Sequence, residues 1–358
     1  MNVIIEVIVI LFLLGLVFSG IILLCMPIFC IFDTLKFERK RVWILFVILI
    51  PIVGWVVYFI VNKPNIKDYW NGIFYGIVLF AALSSIIFLF AIIFSIFIQG
   101  ANIFGEYGIL KFVFGTHWYP TYEPPDFGIL PIILGSFLIT LITIIIAVFF
   151  GVGSAIYISE IAKPNEKEIL KPFIEILAGI PSVIYGLFGM AFLAPAVQKL
   201  FHLKTGFNAF TAGIILGIMV IPIISSISED AINSVPRHLR EASLALGANK
   251  WETIMKVVVP AAKSGIITAV ILGVGRAIGE TMVVLMVAGN SAIIPTSIFD
   301  SVRPMTSTIA AEMGETPVGS LHYNALFGIG IVLFIITFLL NIFTEFIREG
   351  VRKQHAAR

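Results

Sequence analysis

Arg276 and Glu280 are the residues whose type and spacing most directly invite chemistry. They stand four apart in the apolar stretch 264–288, so on a helix they share one face in the middle of that stretch. A charge at the centre of a bilayer costs about 2.5–3.5 kcal/mol on insertion scales, so such groups face protein or water and by default mark a functional pathway. The guanidinium presents a planar fork of donors that fits an oxyanion. A carboxylate one turn away either holds that fork in place or repels the anion and helps it leave. The alternative is a self-satisfied ion pair that only fixes helix packing, with Gly275 and Gly279 as the small face it needs. Thr281 follows directly and joins the candidate pathway residues.

Ser182, in Gly179-Ile180-Pro181-Ser182 with Gly186 beyond, is a weaker candidate. A helix broken there would expose backbone N–H groups to an anion, as discontinuous transporter helices do. A plain helix start with proline in its first turn explains the same residues equally well. Gly213 and Gly217 read as a packing face, and Glu160, at the end of an apolar stretch, as a solvated charge. No GxxxxGK[ST] string is present, and His117, His202, His238, His322 and His355 show no HExxH or similar spacing. The chain is therefore expected to be no enzyme, with no ATPase site of its own, no metal and no cofactor.

The elements that position these residues follow from composition. Of 358 residues, 59% are hydrophobic and 12% charged, against about a quarter charged in soluble domains. Apolar stretches at 3–32, 42–61, 71–98, 129–157, 173–198, 209–228, 264–288 and 323–347 reach the roughly 18–20 residues that span a bilayer. The expected class is all-α and polytopic. A net charge of +2, without basic runs interleaved with aromatics, gives no reason to expect nucleic acid. Cys25 and Cys30 read as bystanders in an apolar run. With Glu6 where a basic region would stand, no cleavable signal is expected. Residues 101–127 read as an aromatic, proline-containing loop at the interface or facing a partner, and 290–322 sets Asp300, Glu312 and Glu315 against Arg303.

Glu229 to Pro260 is the most charged structured interval between spans. It reads as a helix broken at Pro236 and resumed over Arg237 to Leu246, a turn at Gly247, and a second amphipathic helix from Lys250 closed by Pro260. Glu241-Ala242-Ser243, Gly247 six residues after the glutamate, and Val257-Val258-Val259-Pro260 resemble the EAA loop of ABC-importer permeases. In that family the loop holds a coupling helix that docks on an ATPase subunit. The resemblance implies coupling roles for Glu241, Ala242 and Gly247, and Arg240 is placed to pair with an acidic group on the partner.

From about residue 71 onward the chain resembles the permease subunits of phosphate importers, most of all the PstC type. The resemblance rests on Phe127 to Pro131 after Trp118-Tyr119-Pro120, on Ala178 to Gly186 (AGIPSVIYG), and on Gly275 to Met282 (GRAIGETM) with Gly289-Asn290 beyond. Met282-Val283-Val284, where the sister PstA type usually has Ala-Pro-Leu, favours the PstC type; Ser243 departs from the second alanine of EAA. The implied architecture is the type I importer permease, with about six core spans in 71–358 and an added hairpin in 1–70. The implied partners are a PstA-type sister permease, a PstB-type ATPase dimer, a PstS-type binding protein, inorganic phosphate and the lipid bilayer of a prokaryotic cell membrane. Ion-coupled transport through Arg276 and Glu280, or carriage of another oxyanion, remains open from the residues themselves.

Orientation follows from lysine and arginine in the short loops. With the coupling loop inside, the intervals 62–70, 158–172, 229–263 and 348–358 hold fourteen, against four on the other side beyond the first hairpin. Asp33 to Arg41 disagrees: it is rich in lysine and arginine, yet counting spans places it outside, so either the positive-inside rule is broken there or one N-terminal segment is re-entrant or interfacial rather than spanning. Trp43 to Lys63 resembles the membrane hairpin preceding phospholipase-D-type nuclease domains. The HxKxxxxD chemistry of that family is missing, since the one HxK, His202-Leu203-Lys204, has Ala209 at the aspartate position. A lipid-modifying enzyme is thereby disfavoured.

Overall fold

The structure is a computed structural model and describes residues 66–356. The expected N-terminal hairpin, the loop Asp33 to Arg41 and both cysteines lie outside the described residues. The chain divides into two compact units, Met1–Ser95 and Ile96–Arg358. The described part of the first is helical and belongs to α1 (Ile66–Ile103). Val78, Phe88 and Phe90, on that helix, are exposed within the chain, as expected of a face that meets lipid or another subunit.

In the second unit the helical path runs on through a π turn (Phe104–Gly108) into α2 (Ile109–Phe114). A two-stranded antiparallel hairpin follows, β1 (Trp118–Tyr119) paired with β2 (Asp126–Phe127). The interval expected as a loop from 101 to 127 is thus helical up to Phe114. Its aromatics divide: Phe114, Tyr119 and Tyr122 are exposed, as expected of an interfacial or partner-facing segment, whereas Phe112, Trp118 and Phe127 are buried with Ile129, Met305 and Leu326 in one cluster.

Helix α3 (Leu130–Ile156), with Pro131 in its first turn, runs into a second π turn, Tyr157–Ile161. Then come α4 (Pro164–Ala178), α5 (Ser182–Phe188), a third π turn (Gly189–Leu193) and α6 (Ala194–Leu200). The span expected over 173–198 starts instead at Ser182. Gly179 to Pro181 breaks the chain, and the apolar residues before it belong to the separate, amphipathic α4.

At the centre lies α7 (Ala209–Asn233), whose first turn is capped by the Asn208 side chain accepting from the Thr211 amide at 2.9 Å. It packs against α3, and the close approach depends on Gly213 and Gly217. A Cβ at Gly213 would fall 2.5 Å from Ile142 Cγ2, and one at Gly217 would fall 3.0 Å from Ile146 Cγ2. The buried core here includes Ile139, Ile215, Leu216, Val220 and Ile224.

Beyond α7 come α8 (Arg237–Ala245), α9 (Lys250–Thr253), a π turn (Ile254–Val258), α10 (Val259–Ala261) and α11 (Lys263–Ile278). The helical path continues one residue past Pro260, and Lys250–Ala261 meets Lys263–Ile278 at a bend of 69°. The stretch expected as one span over 264–288 is broken at Gly279–Thr281, after which α12 (Met282–Val287) begins. Helices α13 (Met305–Glu312) and α14 (Leu321–Ala356) complete the chain. Between α12 and α13, Asp300 accepts from the Thr296 and Ser297 amides at 2.7 and 2.8 Å, which holds its carboxyl below the usual carboxylate range. Among the described residues five helices are long and apolar enough to cross a membrane, or six counting the bent pair as one span.

Candidate translocation site and coupling loop

Arg276 occupies the last turn of α11, and Glu280 lies just past its end. The contact expected from their spacing is made: Arg276 Nη1 donates to Glu280 Oε2 at 2.7 Å. The two residues live in different surroundings. The Glu280 side chain is 3% exposed, that of Arg276 43%. Glu280 Oε1 accepts from the amides of Met282 and Val283 at 3.1 and 3.3 Å, so the carboxylate caps the start of α12. Its carbonyl accepts from Thr306 Oγ1 at 2.7 Å, which ties the break to α13. Glu280 is therefore fixed by α12 and α13 as well as by Arg276, and its second oxygen orients the guanidinium.

Arg276 is not sealed in an ion pair. Among the described residues, its partner apart from Glu280 is Met219 Sδ, at 3.9 Å from Nη2. Leu272, Gly275, Arg276 and Gly279 follow one another at helical spacing and are exposed. Nothing lies within 4 Å of a Cβ built on Gly275, and at Gly279 the nearest atom is its own helix's Gly275 carbonyl, at 3.4 Å. Among the described residues, no other helix comes within 4 Å of a Cβ on either glycine of the small face that a packing-only role would need. From Lys263 to Arg276 the helix rises by about 20 Å, roughly two-thirds of the hydrocarbon core. Arg276 thus stands at a helix break rather than in the middle of a continuous span.

Thr281 takes the N-cap position of α12 with its side chain half-buried. Ser182 is the first residue of α5, with Pro181 before it. Four residues on, Gly186 lies against α12, where an added Cβ would come 2.7 Å from Met286 Sδ. Ser182 makes no hydrogen bond to Arg276 or Glu280 among the described residues, and the helix-start reading of Pro181 accounts for its geometry.

In the coupling loop, Glu241, Ala242 and Gly247 are exposed, and Leu246 projects with 89% of its surface free. Gly247 has φ +87. Its N–H donates to the Leu244 carbonyl at 3.0 Å, and that of Ala248 to the Ser243 carbonyl at 3.2 Å, the paired bonds of a Schellman stop. Asn249 and Glu252 cap α9 reciprocally. A groove of about 560 Å3 lies between the helices, lined by Leu239, Ala242, Leu246, Gly247 and Val257 among others. Arg240 does not share this surface. It turns inward to Glu160, whose side chain is 12% exposed rather than solvated. The residues are eighty apart, and no local pattern in the sequence signals the pair.

A further polar cluster was visible in the sequence only as a charge imbalance. Glu312 accepts from Trp118 Nε1 at 3.2 Å, meets His322 Nε2 at 2.8 Å and pairs with Arg303. These contacts fasten the β hairpin to α13 and α14 beneath a cleft of about 520 Å3.

Residues 148–353 match the family described as binding-protein-dependent transport system inner membrane component. A protein named probable ABC transporter permease protein YqgH, from Bacillus subtilis, is 42% identical over 238 residues, 66% of this chain and 77% of that protein. A phosphate transport system permease protein PstC from Mesorhizobium japonicum is 35% identical over 289 residues, 75% of this chain and 87% of that one. A chain in the structure of a bacterial ABC transporter involved in the import of the acidic polysaccharide alginate superposes with a TM-score of 0.55 over 78% of this chain and 98% of its own, at 14% identity, a likeness of fold alone. With its apolar helices and its match over more than half its length, this multi-pass membrane protein belongs to the family of binding-protein-dependent transport system inner membrane components.

Proposed function

We propose that the chain is one permease subunit of an ATP-driven phosphate importer. It forms the pathway with a sister permease, receives substrate from an external binding protein, and meets a separate ATPase dimer through the loop around Gly247. The observation that carries the reading is the open face of α11, which presents Arg276 at a helix break with one edge held by Glu280. A guanidinium fixed on one side offers its remaining donors in a defined plane, the geometry a tetrahedral oxyanion accepts. Phosphate is favoured because relatives named phosphate transport system permease protein match three-quarters of the chain. Energy would come from the ATPase partner, with the two permeases rocking about the pathway.

The test is phosphate uptake into proteoliposomes holding this chain with its sister permease, ATPase and binding protein. Uptake is expected to require ATP and to survive ionophores that collapse ion gradients. Uptake driven by a gradient without the ATPase would replace this reading with secondary transport. Uptake of sulfate or molybdate in place of phosphate would keep the importer and change its substrate.

A further inference from the structure

Arg240 precedes Glu241 in α8, yet all three of its guanidinium nitrogens point away from the exposed groove. Nε and Nη2 donate to one oxygen of Glu160 at 3.1 and 2.6 Å. Nη2 also reaches the Ile232 carbonyl at 3.0 Å, and Nη1 the Val235 carbonyl. Ile232 lies in the last turn of α7, where a cation complements the helix dipole. Glu160 belongs to the π turn that continues α3. The two side chains are 20% and 12% exposed, so water and salt screen them less than a surface pair. One arginine thus fastens α8 to the ends of two spans.

The same rim holds α4. Lys167 Nζ donates to the Ser159 carbonyl at 2.7 Å, next to Glu160, and Lys171 Nζ donates to Glu229 at 3.4 Å. Besides Arg240, α8 is connected to the spans through the turn at Pro236 and, past Gly247, through α9 and the π turn after it, with Ser243 Oγ and Thr253 Oγ1 2.9 Å apart. Hinged connections of that kind absorb displacement; a forked, half-buried ion pair transmits it.

We propose that the Glu160–Arg240 pair is the rigid link carrying movement of α8 into α3, with Glu160 as a positioning residue for transport. This rests on reading the loop around Gly247 as the contact with the ATPase. Glu160→Gln in the assembled complex is the test, because it keeps the side chain's shape and leaves Arg240 its two carbonyl bonds. The ATPase subunit is expected to remain bound and to hydrolyse ATP, while phosphate imported per ATP falls at least ten-fold. An unchanged ratio would overturn the proposal. So would loss of the ATPase subunit or of the chain from the membrane, since the pair would then only build the loop. Leu246→Asp tests the underlying reading separately: if that variant still retains the ATPase subunit, the docking assignment fails, whatever Glu160→Gln does.

Discussion

Replacing Arg276 with glutamine is expected to lower phosphate uptake by about 100-fold or more while the complex still assembles. Each charge-assisted hydrogen bond that the anion loses with the guanidinium is worth about 1.5–3 kcal/mol, and each 1.36 kcal/mol is a factor of ten in rate. The fold should tolerate the change. Glu280 keeps the Met282 and Val283 amides and the Thr306 contact, none of which runs through the arginine. The guanidinium also fills no core cavity, since its side chain is 43% exposed within the chain. Arg276→Lys keeps the charge without the planar fork and should retain a small part of the activity. The check is initial uptake rate beside the amount of ATPase subunit co-purified. Near-wild-type uptake by Arg276→Gln would reduce the arginine to a packing residue.

Replacing Gly247 with valine should stop ATP-driven uptake and leave the chain inserted in the membrane. At φ +87 a side chain with Cβ costs about 1–2 kcal/mol, and more when it is β-branched. The strain would release the Schellman stop and free α8 from its set angle to α9. Among the described residues no atom lies within 4 Å of a Cβ at this position, which leaves room for the new side chain. The damage should therefore appear at the exposed surface beside Leu246 and not in the core. Uptake at the wild-type rate, measured with equal amounts of protein in the membrane, would contradict the coupling role.

Much of this arrangement can be read from local sequence. The spacing of Arg276 and Glu280 predicts their contact, and Gly247 predicts the positive φ at the stop of α8, because both depend on residues a turn or less apart. Gly213 and Gly217 likewise mark the face that meets α3. Apolar length, in contrast, hides breaks inside a hydrophobic run. It merges part of α4 with α5, although Pro181 is a breaker, and it runs α11 through Gly279 into α12. The capping role of Glu280 depends on that break, so sequence reveals its charge but not its fixed position. Phe112, Trp118 and Phe127 show why aromatic content misleads in 101–127: the same rings suit an interface or a buried cluster, and only the packing of α13 and α14 decides. Arg240 is the plainest case. Its neighbours Glu241 and Ala242 face outward, while its own partner, Glu160, lies eighty residues away.

That phosphate passes along the open face of α11 is tested most directly by a thiol at Gly275, where an added Cβ meets nothing within 4 Å. In the reconstituted complex, Gly275→Cys should react with a small, water-soluble, membrane-impermeant reagent in at least one nucleotide state. Phosphate should slow that reaction, and the modified complex should no longer take up phosphate. A thiol that resists the water-soluble reagent in every nucleotide state, yet reacts with a lipid-soluble maleimide, would place this face against lipid and contradict the account.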